Sequence, residues 1–144
     1  MMKKLVIFDM DGVIVDSTEL SKREFLKNHP GMTEEYYKEM CGGNFYEELA
    51  KARHIHPQVE MTEKEEKRMQ KLYSEKKLSS SIFPGIKELL KSLHQKGYIL
   101  ALNTSAYIPN TIPILQKAEI EKLFDFIGTA EVSKNKVEKF DLIQ

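Results

Sequence analysis

Leu5-Val6-Ile7-Phe8-Asp9-Met10-Asp11-Gly12-Val13-Ile14-Val15-Asp16-Ser17 is the stretch on which the reading of this chain turns. An unbroken apolar run, Leu5 to Phe8, enters an acidic and glycine cluster. A strand with one wet face would alternate; a continuous run fits a strand buried on both faces, as in a parallel α/β sheet. Val13-Ile14-Val15 reads as a short extended or turn segment. Ligands of open α/β sheets bind outside the carboxyl ends of the strands, so Asp9 and Asp11 stand where chemistry is expected. Two carboxylates this close repel unless a cation or protons compensate them. Mg²⁺ suits the pair, because it takes one or two carboxylates and completes its shell with water and phosphate oxygens. The simpler alternative makes both acids turn formers beside Gly12. An EF-hand calcium loop is excluded: its glycine stands sixth after alternating acids and follows a helix, whereas Gly12 is fourth from Asp9 and follows a strand.

Outward from this stretch, residues 18–78 read as polar and helical, with no strand signal. Asn28-His29-Pro30-Gly31 and Cys41-Gly42-Gly43-Asn44 break the pattern. Thr62-Glu63-Lys64-Glu65 has capping-box spacing and opens a charged helix reaching about Leu78. Met69, Leu72 and Tyr73 form its narrow apolar stripe. Three or four helices here predict a helical insertion beside a sheet.

The α/β pattern then returns. Pro84 suits a first helical position and Gly97 the position just past a helix end. Between them Ile86, Leu89, Leu90 and Leu93 are spaced for one helical face. Tyr98-Ile99-Leu100-Ala101-Leu102 predicts a second buried strand, ended by Asn103-Thr104-Ser105. Pro109 and Pro113 delay the next helix to near Ile112. Phe124-Asp125-Phe126-Ile127-Gly128 predicts a third strand. Asn135 is placed to cap a last helix beginning near Lys136. The expected architecture is a Rossmann-like parallel sheet from residues 1–16 and 80–144, with about three strands, and a helical insertion at 17–79.

Lys+Arg and Asp+Glu both number 22, so no net field draws the chain to nucleic acid or anionic lipid. Binding of an anion must come from local charge. A single cysteine, Cys41, excludes an intramolecular disulfide framework and a multi-cysteine zinc site. The apolar run after Lys4 is too short for a secretory signal, and no stretch has the length of a membrane span, so a soluble, cytoplasmic protein is expected. His54 and His56 suggest a metal pair but lack a third ligand.

At the motifs themselves a resemblance appears. Asp9 to Ser17 after an apolar strand, Phe83-Pro84-Gly85-Ile86 with Leu89-Leu90 and Gly97, then Thr104-Ser105, then Lys136, is an ordered series similar to the motifs of the haloacid dehalogenase superfamily. It most resembles the branch of β-phosphoglucomutase and phosphoglycolate phosphatase. The resemblance implies a Mg²⁺-dependent phosphohydrolase of small phosphorylated metabolites. It implies that Asp9 attacks phosphorus to give an aspartyl-phosphate and that Asp11 serves as general acid and base. Metal would rest on the Asp9 side chain and the Asp11 carbonyl. Thr104 would bind a phosphoryl oxygen through its hydroxyl, Ser105 would help through its backbone N–H, and Lys136 would neutralise charge, with Lys134 its competitor. The insertion at 17–79 would be the α-helical cap. There Asn44 is open to two readings, a contact to a substrate hydroxyl or the N-cap of a helix from Phe45 to Arg53.

The resemblance also sets out departures. The family's fourth motif, an acidic pair after a further strand, has no counterpart before Gln144. The expectation is a fragment of a parent of about 200 residues, with impaired metal binding and turnover. In the family's strand order the first strand is central, so here Leu5 to Phe8 would be an exposed apolar edge open to dimerisation or aggregation. A phosphomutase uses the same residues. Mutase caps carry extra polar or basic contacts, whereas Cys41 and Phe45 occupy the corresponding turn, which favours hydrolysis. The rival of another class is a non-catalytic binding or regulatory protein, against which the complete set Asp9, Asp11, Thr104 and Lys136 argues.

Overall fold

The computed structural model describes residues 2–144, which divide into two compact units. One joins the segment ending at Ser17 to Leu78–Gln144; the other is Thr18–Lys77.

The first unit is α/β. Strand β1 (Leu5–Phe8), β2 (Ile99–Asn103) and β3 (Phe126–Gly128) form a parallel sheet in the order β1-β2-β3. Leu5 lies opposite Ile99, Phe8 opposite Leu102, and Asn103 opposite Gly128. This register brings the ends of all three strands to one edge, beside Asp9, Thr104 and Thr129. β1 pairs with β2 on one side only among the described residues, and its four residues are half-buried.

β3 is shorter than the expected five residues. The Phe124 ring instead turns into the core, edge-on to Phe8 at 6.3 Å. Asp125 spends its carboxylate and its N–H on the backbone of Leu100, at 2.9 and 2.7 Å. Both neighbours of the strand are thereby taken out of its alternation.

Helix α5, Ile86–Gln95, starts two residues later than Pro84 suggested. Pro84 and Gly85 (φ +86°) are the central residues of a turn closed by Ile86 N–H to Phe83 C=O, so proline presets the turn and glycine takes its left-handed position. Leu90 is fully buried and Ile86 and Leu93 pack on the core, but Leu89, at the margin of the stripe, is exposed. The helix closes as expected at Gly97 (φ +81°). Its N–H reaches His94 C=O while Tyr98 N–H reaches Leu93 C=O, a pair of bonds that satisfies carbonyls of the last turn. Met10, Ile14, Val15, Leu90, Leu100, Leu102, Leu115 and Ile120 are fully buried in one core. Helix α6, Ile112–Lys117, begins where the two prolines permit and adds Ile114 and Leu115 to it.

The second unit is helical: α1 (Thr18–Asn28), α2 (Glu34–Cys41), α3 (Phe45–Ile55) and α4 (Glu63–Leu78, whose last residue belongs to the first unit). Its core is Met32, Met40 and Ala52, flanked by Phe25, Leu26, Tyr36, Tyr37, Phe45 and Leu49. The capping box forms: Thr62 Oγ1 accepts from Glu65 N–H at 3.2 Å and the Glu65 carboxylate from Thr62 N–H at 3.0 Å. The apolar stripe on α4 is narrower than its sequence suggested, since Leu72 is exposed. Asn44 occupies the N-cap position of α3 without making the side-chain capping bond. His56 packs edge-on against Tyr36, and no group of three metal-ligating side chains occurs among the described residues. No helix there is long and apolar enough to cross a membrane.

Candidate active site

The site is assembled at the carboxyl ends of the strands of the α/β unit. After β1 the chain folds tightly on itself. Met10 C=O accepts from the N–H groups of Val13, Ile14 and Val15, and Gly12 (φ +78°) donates to Val15 C=O at 2.9 Å. Met10 is fully buried and anchors this turn. Asp9 and Asp11, on either side of it, stay accessible at the surface. Asp11 is held by Ser17, whose hydroxyl donates to its carboxylate at 2.6 Å. The outgoing chain is then laid against the returning one. Asp16 N–H bonds Ser81 C=O, Phe83 N–H bonds Ile14 C=O, and Val15 bridges Ile82 antiparallel.

Asp9 has two partners on one oxygen. Its Oδ1 accepts from Met10 N–H at 2.7 Å and lies 2.9 Å from Lys136 Nζ. Lys136 is the first residue of helix α7 (Lys136–Ile143) and is aimed there by its cap. Asn135 Oδ1 accepts from the N–H groups of Val137 and Glu138 at 2.9 and 3.2 Å, which starts the helix at Lys136. Of the two competing lysines, Lys136 is the one paired with Asp9.

Thr104 follows β2, with its N–H bonded to Gly128 C=O and its Oγ1 accepting from Ala106 N–H at 3.1 Å. The hydroxyl proton is not used by that bond and is chemically able to serve an oxyanion. Ser105 is the next residue in the same turn. Parallel pairing of β1 with β2 sets Thr104 beside the end of the strand that Asp9 follows.

Two residues of this neighbourhood escaped the sequence reading. Lys139 is completely buried, its Nζ donating to Thr104 C=O at 2.7 Å and Ser133 C=O at 2.8 Å. Burial holds its pKa below the ordinary lysine value; nearby Lys136 acts the same way and Asp9 opposes both. Asn103, also buried, donates from Nδ2 to Lys136 C=O at 3.1 Å. Neither has a sequence signature, because a lysine in a basic run and an asparagine at a strand end read as solvated groups.

The sequence profile of the family described as haloacid dehalogenase-like hydrolase matches residues 6–140. The chain belongs to the haloacid dehalogenase-like hydrolase family. That match contains Asp9, Asp11, Thr104, Ser105 and Lys136, the residues gathered at the strand ends. Among curated proteins of known name the chain is similar to a phosphoglycolate phosphatase of Vibrio vulnificus, 30% identical over 142 residues, covering 87% of this chain and 60% of that protein. Among solved structures it is similar to a protein of Haemophilus somnus described as a predicted phosphoglycolate phosphatase, with 30% identity and a TM-score of 0.61, covering 90% of this chain and 64% of that one. It is also similar to a protein of Thermotoga maritima provisionally assigned as a β-phosphoglucomutase, with 26% identity and a TM-score of 0.57, covering 93% and 64%. The chain thus spans less than two thirds of the length of these haloacid dehalogenase-like relatives, whose descriptions are those of phosphoglycolate phosphatase and β-phosphoglucomutase.

Proposed function

We propose that this chain carries the nucleophile and the phosphate-binding groups of a phosphohydrolase acting on small phosphorylated metabolites. The observation that carries the reading is the Lys136–Asp9 pair at 2.9 Å, placed beside the Thr104 turn at the ends of β1 and β2. A surface carboxylate held by a single lysine is ordinary; one at a strand terminus beside a second acid and a hydroxyl-bearing turn is suited to phosphoryl transfer.

In this reading Asp9 attacks phosphorus in line through the oxygen that Lys136 and Met10 N–H leave free. The leaving alkoxide takes a proton from Asp11, whose carboxyl Ser17 orients. Thr104 Oγ and Ser105 N–H receive the phosphoryl oxygens, and the Lys136 ammonium offsets charge on Asp9 and phosphate in the transition state. Asp11, now a base, takes a proton from the water that cleaves the aspartyl-phosphate. The donors near Asp9 are hard oxygens, two carboxylates and main-chain carbonyls, and this set fits Mg²⁺. Asp9 and the Asp11 carbonyl would hold it, and it would supply charge neutralisation between an anionic nucleophile and an anionic substrate.

The boundaries 1–16 with 80–144 for the core and 17–79 for the cap belong to the same proposal. The helical unit would select substrate, with Asn44, whose side chain is not engaged in capping, as its candidate contact. Cytoplasmic location and self-association through β1, which pairs on one side only among the described residues, are further parts of the proposal.

The resemblance to the Thermotoga protein supports a second reading, a phosphomutase using the same residues. Incubating the chain and Asp9→Asn with phosphoglycolate and hexose phosphates, with and without Mg²⁺, tests both. Release of inorganic phosphate that needs Asp9 supports hydrolysis. Isomerised sugar phosphate without phosphate release supports the mutase, and no Asp9-dependent turnover of any substrate contradicts both.

A further inference from the structure

Helix α7 turns a lysine into the protein interior. Val137 and Leu142 face solvent at 66% and 63% exposure, while Lys139 is at 0%. A helix packed on a sheet ordinarily buries the apolar residues and leaves lysine in water, because burying an ammonium is costly unless its donors are met. Here two N–H groups of Lys139 are spent on the carbonyls of Thr104 and Ser133. Those carbonyls belong to the loops that follow β2 and β3, which are themselves stitched by Ala130 N–H to Ala106 C=O and by the Glu131 carboxylate to Ile108 N–H.

The second half of the pattern lies on β2. Asn103 Nδ2 bonds the carbonyl of Lys136, and its Oδ1 accepts from no group among the described residues. The links are reciprocal. Thr104 has its carbonyl held by the residue three beyond Lys136, and Lys136 has its carbonyl held by the residue before Thr104.

We propose that Asn103 and Lys139 are positioning residues, a two-way clamp that fixes the backbone of Thr104 relative to that of Lys136 and so sets the width of the phosphoryl cradle. The inference rests on the phosphohydrolase reading above and adds to it two residues that touch neither substrate nor nucleophile. A cradle of this kind discriminates through geometry, and displacement of one wall by about 1 Å is enough to lose much of its binding or rate.

The test is binding of inorganic phosphate to the 144-residue chain in the presence of Mg²⁺, followed by ³¹P NMR, with stability measured in parallel by urea unfolding. The variants are Lys139→Met, near the native volume, and Asn103→Leu, which keeps the branching of the side chain but lacks the amide, with Leu115→Ala as a core variant that lowers stability away from the site. The expected result is phosphate binding weakened about tenfold in both clamp variants, with Leu115→Ala binding as wild type. If Lys139→Met does not fold, Asn103→Leu decides alone on the same criterion. Clamp variants that bind like wild type while unfolding more easily overturn the proposal and leave the two residues a purely structural role. A wild-type chain that binds no phosphate overturns the phosphohydrolase reading instead, and the clamp with it.

Discussion

Replacing Lys136 with methionine separates the worth of its charge to the fold from its worth to the reaction. The pair with Asp9 is close, 2.9 Å, but the two side chains keep 34% and 46% of their surface in water. At contact distance in a water-like dielectric the attraction is about 1 kcal/mol. Immobilising a lysine side chain costs as much as about 2 kcal/mol of rotamer entropy. Exposed pairs of this type accordingly contribute about 0.2–1 kcal/mol. Asp9 also keeps the Met10 N–H on the same oxygen, so loss of the lysine leaves it neither buried nor without a donor. Folding stability should therefore change by less than about 1 kcal/mol. The transition state is different, because there the ammonium faces both phosphate and nucleophile. Removing one fixed donor of this kind lowers turnover by about 10² to 10³. Urea unfolding and Mg²⁺-dependent phosphatase turnover per folded molecule read the two effects apart. Stability lost by more than about 2 kcal/mol, with turnover unchanged, would refute the reasoning and make Lys136 a structural ion-pair residue.

Further outcomes are expected elsewhere in the chain. Thr104→Val removes the one hydroxyl while keeping shape, and phosphatase turnover should fall about tenfold or more with the fold intact by circular dichroism. In Gly128→Ala the new Cβ would lie 3.0 Å from the Phe126 ring and 3.3 Å from Lys139 Cδ, so unfolding in urea should show a loss of about 1–3 kcal/mol. Leu115→Ala empties a fully buried core position and should cost about 2–5 kcal/mol in the same assay. His29 is buried, stacked on Phe25 at 3.9 Å and bonded through Nδ1 to Phe25 C=O, and burial holds its pKa below the ordinary value. The unfolded chain then binds the proton more readily, so this contribution is complete above about pH 6.5 and is lost as pH falls through that value toward the folded pKa. Thermal unfolding should show the helical unit less stable at acid pH, and His29→Gln should flatten that dependence.

Much of the fold was legible because local chemistry and tertiary demand agree. Leu5 to Phe8 has no polar residue to spare for solvent, which fits a strand of a parallel sheet, and the run forms β1 although its four residues are only half-buried. Gly97, Asn135 and the Thr62–Glu65 box announce helix ends through groups that satisfy nearby backbone atoms, and all three appear in those roles. Errors arose where two local rules compete. Pro84 is at home both in a first helical turn and at the second position of a β-turn, and the left-handed Gly85 decides for the turn. Leu89 fits the apolar spacing of α5 yet sits at the stripe's edge, where a sheet surface no longer reaches it. Asp9 and Asp11 could be named from their place after an apolar strand. Thr104 and Lys136 are reached through the resemblance to the haloacid dehalogenase motifs, since a strand-end threonine and a lysine in a basic run have bland readings of their own. Lys139 and Asn103 could be named by neither route, since their partners lie 35 and 33 residues away and only the folded backbone turns those carbonyls toward them.

The account stands on Asp9 as the nucleophile that takes the phosphoryl group. The most direct measurement is the mass of the intact chain and of its Asp9 peptide after brief exposure to acetyl phosphate and Mg²⁺, quenched in acid, beside Asp9→Asn. The account predicts one added phosphoryl group, located on Asp9, cleared by hydroxylamine and missing from Asp9→Asn. An adduct of equal yield in Asp9→Asn, or none in a folded wild-type chain that binds phosphate, would contradict it.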